Sequence, residues 1–324
     1  MYVKNENKNK VHLIIFTYKR AILLEEVLNS IFKNFENKAF PIHVIYHKDK
    51  AHIKSYDLLK KKWKKKGVIF YERKKINYFK LNLMTILRPL NFLWLARWPD
   101  LLKNFNNFKF LLESVIKKSK HEYITMVTDD QIFFKKTFIT QKIFQELKKN
   151  KNSFYRFFTG DHFKDEHKIP FNLQVIKFYH EKIKFFSWKT NDKFANASWK
   201  YRFTIDGTIY VKSELLNLIS PMVYHNPITL EAIGLWESRL RNFFQVGYSA
   251  KNRTSAHYQI NNVQKLVINQ CSSFDPDLLM KAYLKGYKLL IGYHEFISSK
   301  FNIVPKNIKL LKKGNIYKIS DKVM

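Results

Sequence analysis

The sequence is poor in cysteine and in glycine. Cys271 is the one cysteine among 324 residues, which excludes an intrachain disulfide and any metal site built from several thiolates. The 8 glycines form neither a GxGxxG nor a GxxxxGK[ST] motif. Dinucleotide-binding and P-loop proteins are recognised by those fingerprints, and both classes therefore lack support here.

Acidic residues are also scarce relative to basic ones. Lys and Arg number 59 and Asp and Glu 26, which gives a formal net charge of +33. Such a field attracts polyanions, whether nucleic acid, an anionic membrane or phosphorylated substrates. A nucleic-acid-binding protein is therefore one alternative, although the sequence shows no recognisable binding module. Lysine-rich composition is equally typical of AT-rich coding, so charge alone does not decide the partner.

No long apolar run is present. The most apolar stretch, residues 81–98, is interrupted by two arginines, a proline and an asparagine, whereas a spanning helix needs about 20 apolar residues. Residues 1–10 are polar and lack the apolar core of a signal peptide. We expect a cytoplasmic protein with peripheral contact to the inner face of the membrane. The basic run Lys60–Lys66 is a candidate for anionic lipid or, alternatively, a solvated helix face.

Apolar strands alternate with helical patterns in the first part of the chain. Short apolar runs at Val11–Thr17, Pro41–Tyr46 and Val68–Tyr71 are separated by two amphipathic stretches. This β-α-β-α-β order predicts an α/β fold with a mostly parallel sheet flanked by helices.

Two adjacent acids follow a further buried strand. Asp129 and Asp130 come directly after Tyr123–Val127, and ligands of open α/β sheets gather at the carboxyl ends of strands. A divalent cation, Mn²⁺ or Mg²⁺, would relieve the repulsion between the two carboxylates and share its other ligands with phosphate oxygens and water. The alternative is an acid pair that caps the next helix.

At this point the sequence resembles a family. IIFTYKRAILLEEVLNSI, TMVTDDQIFF, DGTIYVKSELLNLI and PITLE resemble, in order, segments of family 2-like GT-A glycosyltransferases. SAHYQINNVQKL and DPDLLMKAYLKGYKL are similar to the C-terminal part of bacterial lipopolysaccharide-type members. The resemblance implies a Rossmann-like GT-A domain over residues 1–267 and a C-terminal helical extension over residues 268–324 that packs on it.

The resemblance also implies donor-binding residues. It places Asp130 as the direct metal ligand and Asp129 as the ribose or outer partner of the metal. Gln131 stands where some members carry another acid. The residues expected to contact the nucleotide are Thr17, Tyr18, Arg20, Asp49 and Asp129.

Two acids are candidates for the catalytic base. Glu231, in the PITLE segment, would take the proton from the acceptor hydroxyl; the alternative is an acid in the first turn of a helix, favoured by the helix dipole. Asp206, followed by Gly207, is the second candidate, or else part of a plain turn. His257 falls where some GT-A enzymes place a late metal ligand. Trp188 and Trp199 could stack on a sugar or simply pack in the core.

These expectations combine into one function. We expect an inverting, metal-dependent glycosyltransferase that moves a sugar from a nucleotide-sugar donor to a glycan or lipid-linked acceptor in surface polysaccharide or lipopolysaccharide synthesis. No nucleic acid partner is expected. A nucleotidyltransferase is the remaining alternative, but the segment Phe16–Arg20 has none of the glycine that such enzymes carry after the first strand.

Overall fold

A computed structural model describes residues 10–47, 49–74, 106–160, 173–177, 184–191, 193, 197–261, 263, 271–298 and 302–320. The protein is built around a nine-stranded mixed sheet with the strand order β3-β2-β1-β4-β9-β6-β10-β8-β7. Its strands are β1 (Val11–Tyr18), β2 (Ile42–His47), β3 (Val68–Glu72), β4 (Tyr123–Thr128), β6 (Ser153–Arg156), β7 (Gln174–Lys177), β8 (Lys184–Lys189), β9 (Thr208–Val211) and β10 (Val246–Ala250). A separate two-stranded sheet joins β5 (Gln131–Phe133) to β11 (Ser255–His257).

The first four strands of the large sheet are parallel. β1 lies in the middle with β2 and β4 on its two sides, and β3 pairs with β2. β8 and β9 run against the other strands, because their pairings with β4, β6, β7 and β10 are antiparallel. This arrangement confirms the predicted α/β class with a mostly parallel sheet flanked by helices.

Helices cover both faces of the large sheet, which is why β1 reads as a continuous apolar run. Leu13 and Ile15 face one core and Ile14 and Phe16 the other. The first core includes α1 (Ala21–Asn34), α2 (Ile53–Lys64) and α4 (Gln141–Lys149). The second includes α3 (Phe108–Lys118), the short α5 (Ala197–Lys200), α6 (Lys212–Ile219) and α7 (Pro227–Leu240).

The C-terminal segment is a mixed structure that packs on the first core. Its helices are α8 (Pro276–Leu284) and α9 (Tyr293–Ser298), and its strands are β12 (Lys288–Leu290), β13 (Asn307–Lys312) and β14 (Asn315–Ser320). The sequence predicted a helical extension, and the structure corrects this by adding three strands to its two helices. In β13 every second residue is buried at its start, which is the period of a β-strand. The lysines between the buried residues make the segment polar on average, so its composition does not indicate a strand.

Two sequence-based predictions fall on undescribed residues. The apolar stretch 81–98 lies outside the described residues, and so does the boundary expected near residue 267. Among the described residues, no helix is both long and apolar enough to cross a membrane.

Candidate functional site

The loop after β1 is held in place by the second helix. Tyr56 of α2 is fully buried, and its hydroxyl lies 2.9 Å from Thr17 Oγ1. The backbone N–H of Arg20 donates to the same hydroxyl at 3.4 Å. Between them Lys19 adopts φ = 58°, a left-handed conformation that a non-glycine residue occupies only when its surroundings enforce it. The loop is thus a constrained structure at the carboxyl end of the central strand.

Arg20 joins this loop to the acid pair at the end of β4. Its Nη1 donates to Asp129 Oδ1 at 3.0 Å and to Asp130 Oδ2 at 3.3 Å. Its Nε donates to Asn261 Oδ1 at 2.8 Å, and Nη2 bonds the Asn261 carbonyl. The other oxygen of Asp129 accepts the Tyr18 N–H at 3.2 Å. One guanidinium therefore compensates two adjacent carboxylates that would otherwise repel each other in a poorly solvated place.

His257 connects Asp130 to Asp206. Its Nδ1 lies 3.1 Å from Asp130 Oδ1, and its Nε2 lies 3.6 Å from Asp206 Oδ2. Burial alone would lower the pKa of His257, but the carboxylates of Asp206 and Asp130 outweigh it and raise the pKa to about 9. Burial likewise favours the neutral form of Asp130, yet His257, together with Arg20, holds the pKa of Asp130 below its usual range. His257 is therefore protonated and lies as an imidazolium between Asp130 and Asp206.

Asp206 reaches this point because of the glycine that follows it. Gly207 has φ = 58°, and a Cβ there would lie 2.2 Å from Gln131 Nε2. Its N–H donates to the Met126 carbonyl at 2.8 Å, which fixes the turn against β4. Asp206 Oδ1 then accepts the Thr128 hydroxyl at 3.1 Å. Burial raises the pKa of Asp206, with His257 opposing the shift and Asp130 adding to it.

Glu231 lies beside Asp206 on α7. The start of this helix is well defined, with Pro227 in the first turn and a reciprocal capping box between Asn226 and Thr229. Glu231 therefore lies beyond the first turn, and its Oε1 accepts the Ile205 N–H at 3.4 Å. The first-turn alternative from the sequence analysis is thereby corrected. Burial, reinforced by the nearby charge of Asp206, raises the pKa of Glu231 to about 8.

Asp49 also lies at the carboxyl edge of the sheet, but it pairs with Lys19 and His52 and not with Arg20 or His257. It forms an ion pair with Lys19 Nζ at 2.7 Å and lies 2.7 Å from His52 Nδ1. These partners outweigh the effect of burial and hold the pKa of Asp49 below its usual range. Since Lys19 and Arg20 are adjacent, the first loop spans both acidic groups, and Asp49 borders the place expected for the nucleotide.

The sequence analysis missed residues at the ends of β2 and β3. The His47 ring stacks on Tyr18 with centroids 5.1 Å apart, and Arg73 follows β3 with its guanidinium 5.5 Å from the Phe108 ring centroid. Burial lowers the pKa of Arg73 to about 10. The position of these residues in the sequence could have identified them. Parallel strands end at the same edge of a sheet, so a polar residue directly after each strand is a candidate for ligand binding. Asn261 carried no comparable signal.

The two tryptophans are core residues. Trp188 and Trp199 are each 1% exposed, and their rings meet edge to face with centroids 4.9 Å apart. Trp188 Nε1 donates to the Trp199 carbonyl at 2.9 Å. Neither ring is available to stack on a sugar, so packing in the core is the correct interpretation.

The donor set allows a shared metal site and not a complete protein cage. Among the described residues no group of three His, Cys, Asp or Glu side chains is placed to hold a metal ion. The two oxygens of Asp129 accept from Arg20 and from the Tyr18 N–H, and those of Asp130 are bonded to Arg20 and His257. Each carboxylate oxygen keeps a second lone pair, so both acids stay candidates for a cation. Asp130 Oδ1 and His257 Nδ1 lie 3.1 Å apart, and a cation between them would have to displace the proton that His257 carries as an imidazolium. A cation there would draw its other ligands from a diphosphate and water, as Mg²⁺ commonly does at phosphate sites.

Comparison with known proteins finds similarity in solved structures alone. No protein-family model and no curated protein matches the sequence. The fold is similar to that of S. aureus TarS, at 13% identity and a TM-score of 0.39, over 75% of this chain and 37% of TarS. TarS 1–349 in complex with UDP-GlcNAc is similar at 13% identity and a TM-score of 0.37, over 76% of this chain and 60% of that one. WbbM, described as a bifunctional glycosyltransferase, is similar at 11% identity and a TM-score of 0.32, over 74% of this chain and 39% of WbbM.

This protein therefore spans between 37% and 60% of the length of the structures it resembles. Likeness at such identities and TM-scores does not assign an activity.

Proposed function

We propose that the protein is a glycosyltransferase that uses a nucleotide-sugar donor, inverts the anomeric centre and depends on a divalent cation. The observation that carries the proposal is the convergence of four acids from separate segments around Arg20 and His257. Asp129 and Asp130 follow β4, Asp206 precedes β9, and Glu231 lies on α7. Arg20 and His257 join Asp129, Asp130 and Asp206 through hydrogen bonds and ion pairs, and Glu231 accepts the N–H of Ile205, the residue before Asp206. The four acids lie at the carboxyl edge of the sheet, where ligands of such folds bind.

The first loop supports the donor side of the proposal. Tyr18 and His47 present stacked rings, Asp49 borders them, and Arg20 carries a guanidinium beside the acid pair. An aromatic surface and carboxylates suit a base and a ribose, and a guanidinium suits a diphosphate. Asp130 and His257 would hold the cation, which would neutralise the charge that develops on the departing diphosphate. Asp129 keeps the loop and Arg20 in place.

Glu231 supports the acceptor side. As the acceptor oxygen forms its bond to the anomeric carbon, the bond from that carbon to the diphosphate oxygen breaks, and the hydroxyl proton passes to the Glu231 carboxylate. Attack opposite the leaving group inverts the centre. A base with a pKa of about 8 is well matched to this task, since it is strong enough to accept the proton and is partly ionised near neutral pH. Burial keeps the pKa of Glu231 high, and the charge of Asp206 adds to the effect.

The acceptor is proposed to be a glycan or a lipid-linked sugar of surface polysaccharide or lipopolysaccharide synthesis. This part follows from the resemblance of the C-terminal sequence, and its test is separate from the donor test. A panel of lipid-linked and free oligosaccharides, offered once a donor is known, identifies the acceptor class by the mass of the product.

Asp130→Asn tests the donor side most directly. We expect wild-type protein to release a nucleoside diphosphate from one member of a sugar-nucleotide panel that includes UDP-GlcNAc, with Mn²⁺ or Mg²⁺ present and not with EDTA. The variant should lose about a hundredfold to a thousandfold of this rate, because an amide is a poorer ligand for a hard cation.

Asp57→Asn, at an exposed ion pair with Lys60 on α2, is the matched control and should keep full activity. Thermal unfolding of both variants checks that the fold is intact. Release of nucleoside diphosphate by Asp130→Asn at the wild-type rate under limiting Mn²⁺ would refute the metal role. Failure of the whole panel to bind or react would refute the proposed activity.

A further inference from the structure

The C-terminal three-stranded sheet has two unlike faces. β13 pairs with β12 on one side and β14 on the other, both antiparallel. Leu289, Ile308 and Leu310 are buried and belong to the first core. Because side chains alternate along a strand, the residues between them point away from the protein. The outward face is formed by Lys288, Leu290, Asn307, Lys309, Leu311, Ile316, Lys318 and Ser320, and we call it the lysine–aliphatic face.

The register arranges this face in mixed rows. One row crosses the three strands as Leu290, Lys309 and Lys318, and the next as Lys288, Leu311 and Ile316. Ile316 is 60% exposed and Leu290 is 36% exposed. The face contains lysines and aliphatic residues side by side and has no acidic residue.

The part of the sequence that contains the face is rich in lysine, and Glu26 of α1 interacts with one of these lysines, Lys288. Residues 281–320 contain nine lysines and one acid, Glu295. The turn between β13 and β14 is Lys313–Gly314, in which both residues have positive φ, as in a tight type I′ hairpin turn. This turn projects another lysine from the edge of the sheet. On the adjoining α8, Lys281, Leu284 and Lys285 are exposed, which continues the mixture of aliphatic and basic side chains.

We propose that the lysine–aliphatic face binds the surface of an anionic lipid bilayer. Lysine ammonium groups attract phosphate headgroups, while their alkyl stems and the exposed aliphatic side chains favour the apolar boundary beneath. A second copy of the chain on this face would place lysines against lysines, which repel. A single-stranded nucleic acid would need aromatic rings for base stacking, and the face carries none. The proposal stands whether or not the chain transfers sugars.

Vesicle sedimentation tests the electrostatic part. Wild-type protein should bind phosphatidylglycerol–phosphatidylcholine vesicles and leave pure phosphatidylcholine vesicles largely unbound. The double variant Lys309→Gln/Lys318→Gln should bind the anionic vesicles about thirtyfold more weakly, since each lysine near such a surface contributes about 1 kcal/mol and 1.4 kcal/mol corresponds to a factor of ten. High salt should reduce wild-type binding by screening.

The matched control has the same change of charge elsewhere. Lys118 and Lys120 are exposed at the end of α3, which packs in the second core on the opposite face of the large sheet. Lys118→Gln/Lys120→Gln should retain wild-type binding. Equal loss in the two double variants would show that net charge, and not this face, attracts the lipid, and would overturn the proposal.

Ile316→Ser tests the apolar part. We expect binding about tenfold weaker than wild type, with the loss persisting in high salt because it does not arise from charge. Ile316 is exposed, so the thermal midpoint should not change, and a measured midpoint guards against an unfolded variant. Wild-type affinity in both Ile316→Ser and Lys309→Gln/Lys318→Gln would refute the face as a lipid site. So would dimerisation or RNA binding that these variants abolish while lipid binding persists.

Discussion

The two ends of the parallel strands contain buried histidines whose pKa values move in opposite directions. At the carboxyl end, the carboxylates of Asp206 and Asp130 raise the pKa of His257 to about 9. At the amino end, His12 of β1 and His43 of β2 meet edge to face with ring centroids 4.5 Å apart. Burial lowers the pKa of His12 to about 3 and that of His43 to about 4, and His43, His121 and Lys212 contribute to the shift of His12.

Burial is common to both ends, so the neighbours decide the outcome. At the amino end the histidines face apolar residues and other bases, and they remain neutral. At the carboxyl end acids and bases occur together: His257 and Asp130 are held in their charged forms, whereas burial raises the pKa values of Asp206 and Glu231. A set of compensated charges is costly to assemble in a folded protein, which is why it indicates a binding or catalytic site. We therefore expect the two ends to differ in function as well as in electrostatics.

Glu231→Gln should have the largest effect. Loss of a general base typically costs about a hundredfold to ten-thousandfold in rate, whereas donor affinity should change little, since Glu231 acts on the acceptor hydroxyl. Transfer rates and donor binding, measured separately, check this. Glu237→Gln on the same helix, where Glu237 lies 4.0 Å from Arg241, is the control and should be nearly normal.

The pH profile distinguishes Glu231 from Asp206. With a pKa of about 8, Glu231 loses its proton as the pH rises through that value, so wild-type transfer should increase up to about pH 8 and then level off. In Glu231→Gln the transfer rate should no longer increase with pH over this range. If Glu231→Gln keeps its turnover and Asp206→Asn is inactive, Asp206 is the base. Activity in both variants would exclude either acid as the base.

Arg20→Met should destabilise the protein by about 3–5 kcal/mol. Removal of one partner from a buried ion pair leaves its carboxylates uncompensated, and Asp129 and Asp130 would both be affected. The free energy of unfolding in urea measures the change. Arg73→Met is the matched control, because no carboxylate of the described residues forms an ion pair with Arg73, and it should cost far less. If both variants lost a similar free energy of unfolding, the ion pairs of Arg20 with Asp129 and Asp130 would not contribute to stability as proposed.

His43→Phe should have a smaller, pH-dependent effect at the amino end. Between pH 6.5 and about 4 the unfolded chain protonates His43 while the folded protein does not, so acid weakens the wild-type fold. From pH 6.5 to pH 5 this amounts to roughly 2 kcal/mol for one histidine. The variant should lose that part of the acid sensitivity, whereas His294→Phe, at an exposed position on α9, should keep it.

Urea unfolding at several pH values measures this difference. Identical pH dependence in wild type and His43→Phe would mean that His43 is protonated in the folded protein as readily as in the unfolded chain. The amino end of the sheet would then resemble the carboxyl end, and the comparison would fail.

Local patterns predicted the features that are local in the chain. The alternation of apolar strands and amphipathic helices predicted the parallel half of the sheet, because period and burial are properties of short segments. The position of Asp129 and Asp130 at the end of a strand followed from the same reading. The C-terminal sheet was missed because its lysine-rich strands have one buried face only, and composition does not reveal which residues alternate inward.

Tertiary structure decided which of these residues act together. Arg20 and Asn261 are separated by 241 positions, and Asp130 and His257 by 127, yet each pair is in hydrogen-bond contact. No local pattern encodes such contacts, because they depend on where β5 and β11 pair and how Gly207 turns the chain. The pKa values of Glu231 and His257 follow from these long-range neighbours and from burial. The sequence by itself determined which chemical groups stand at the strand ends; folding alone determined which of them became charged partners.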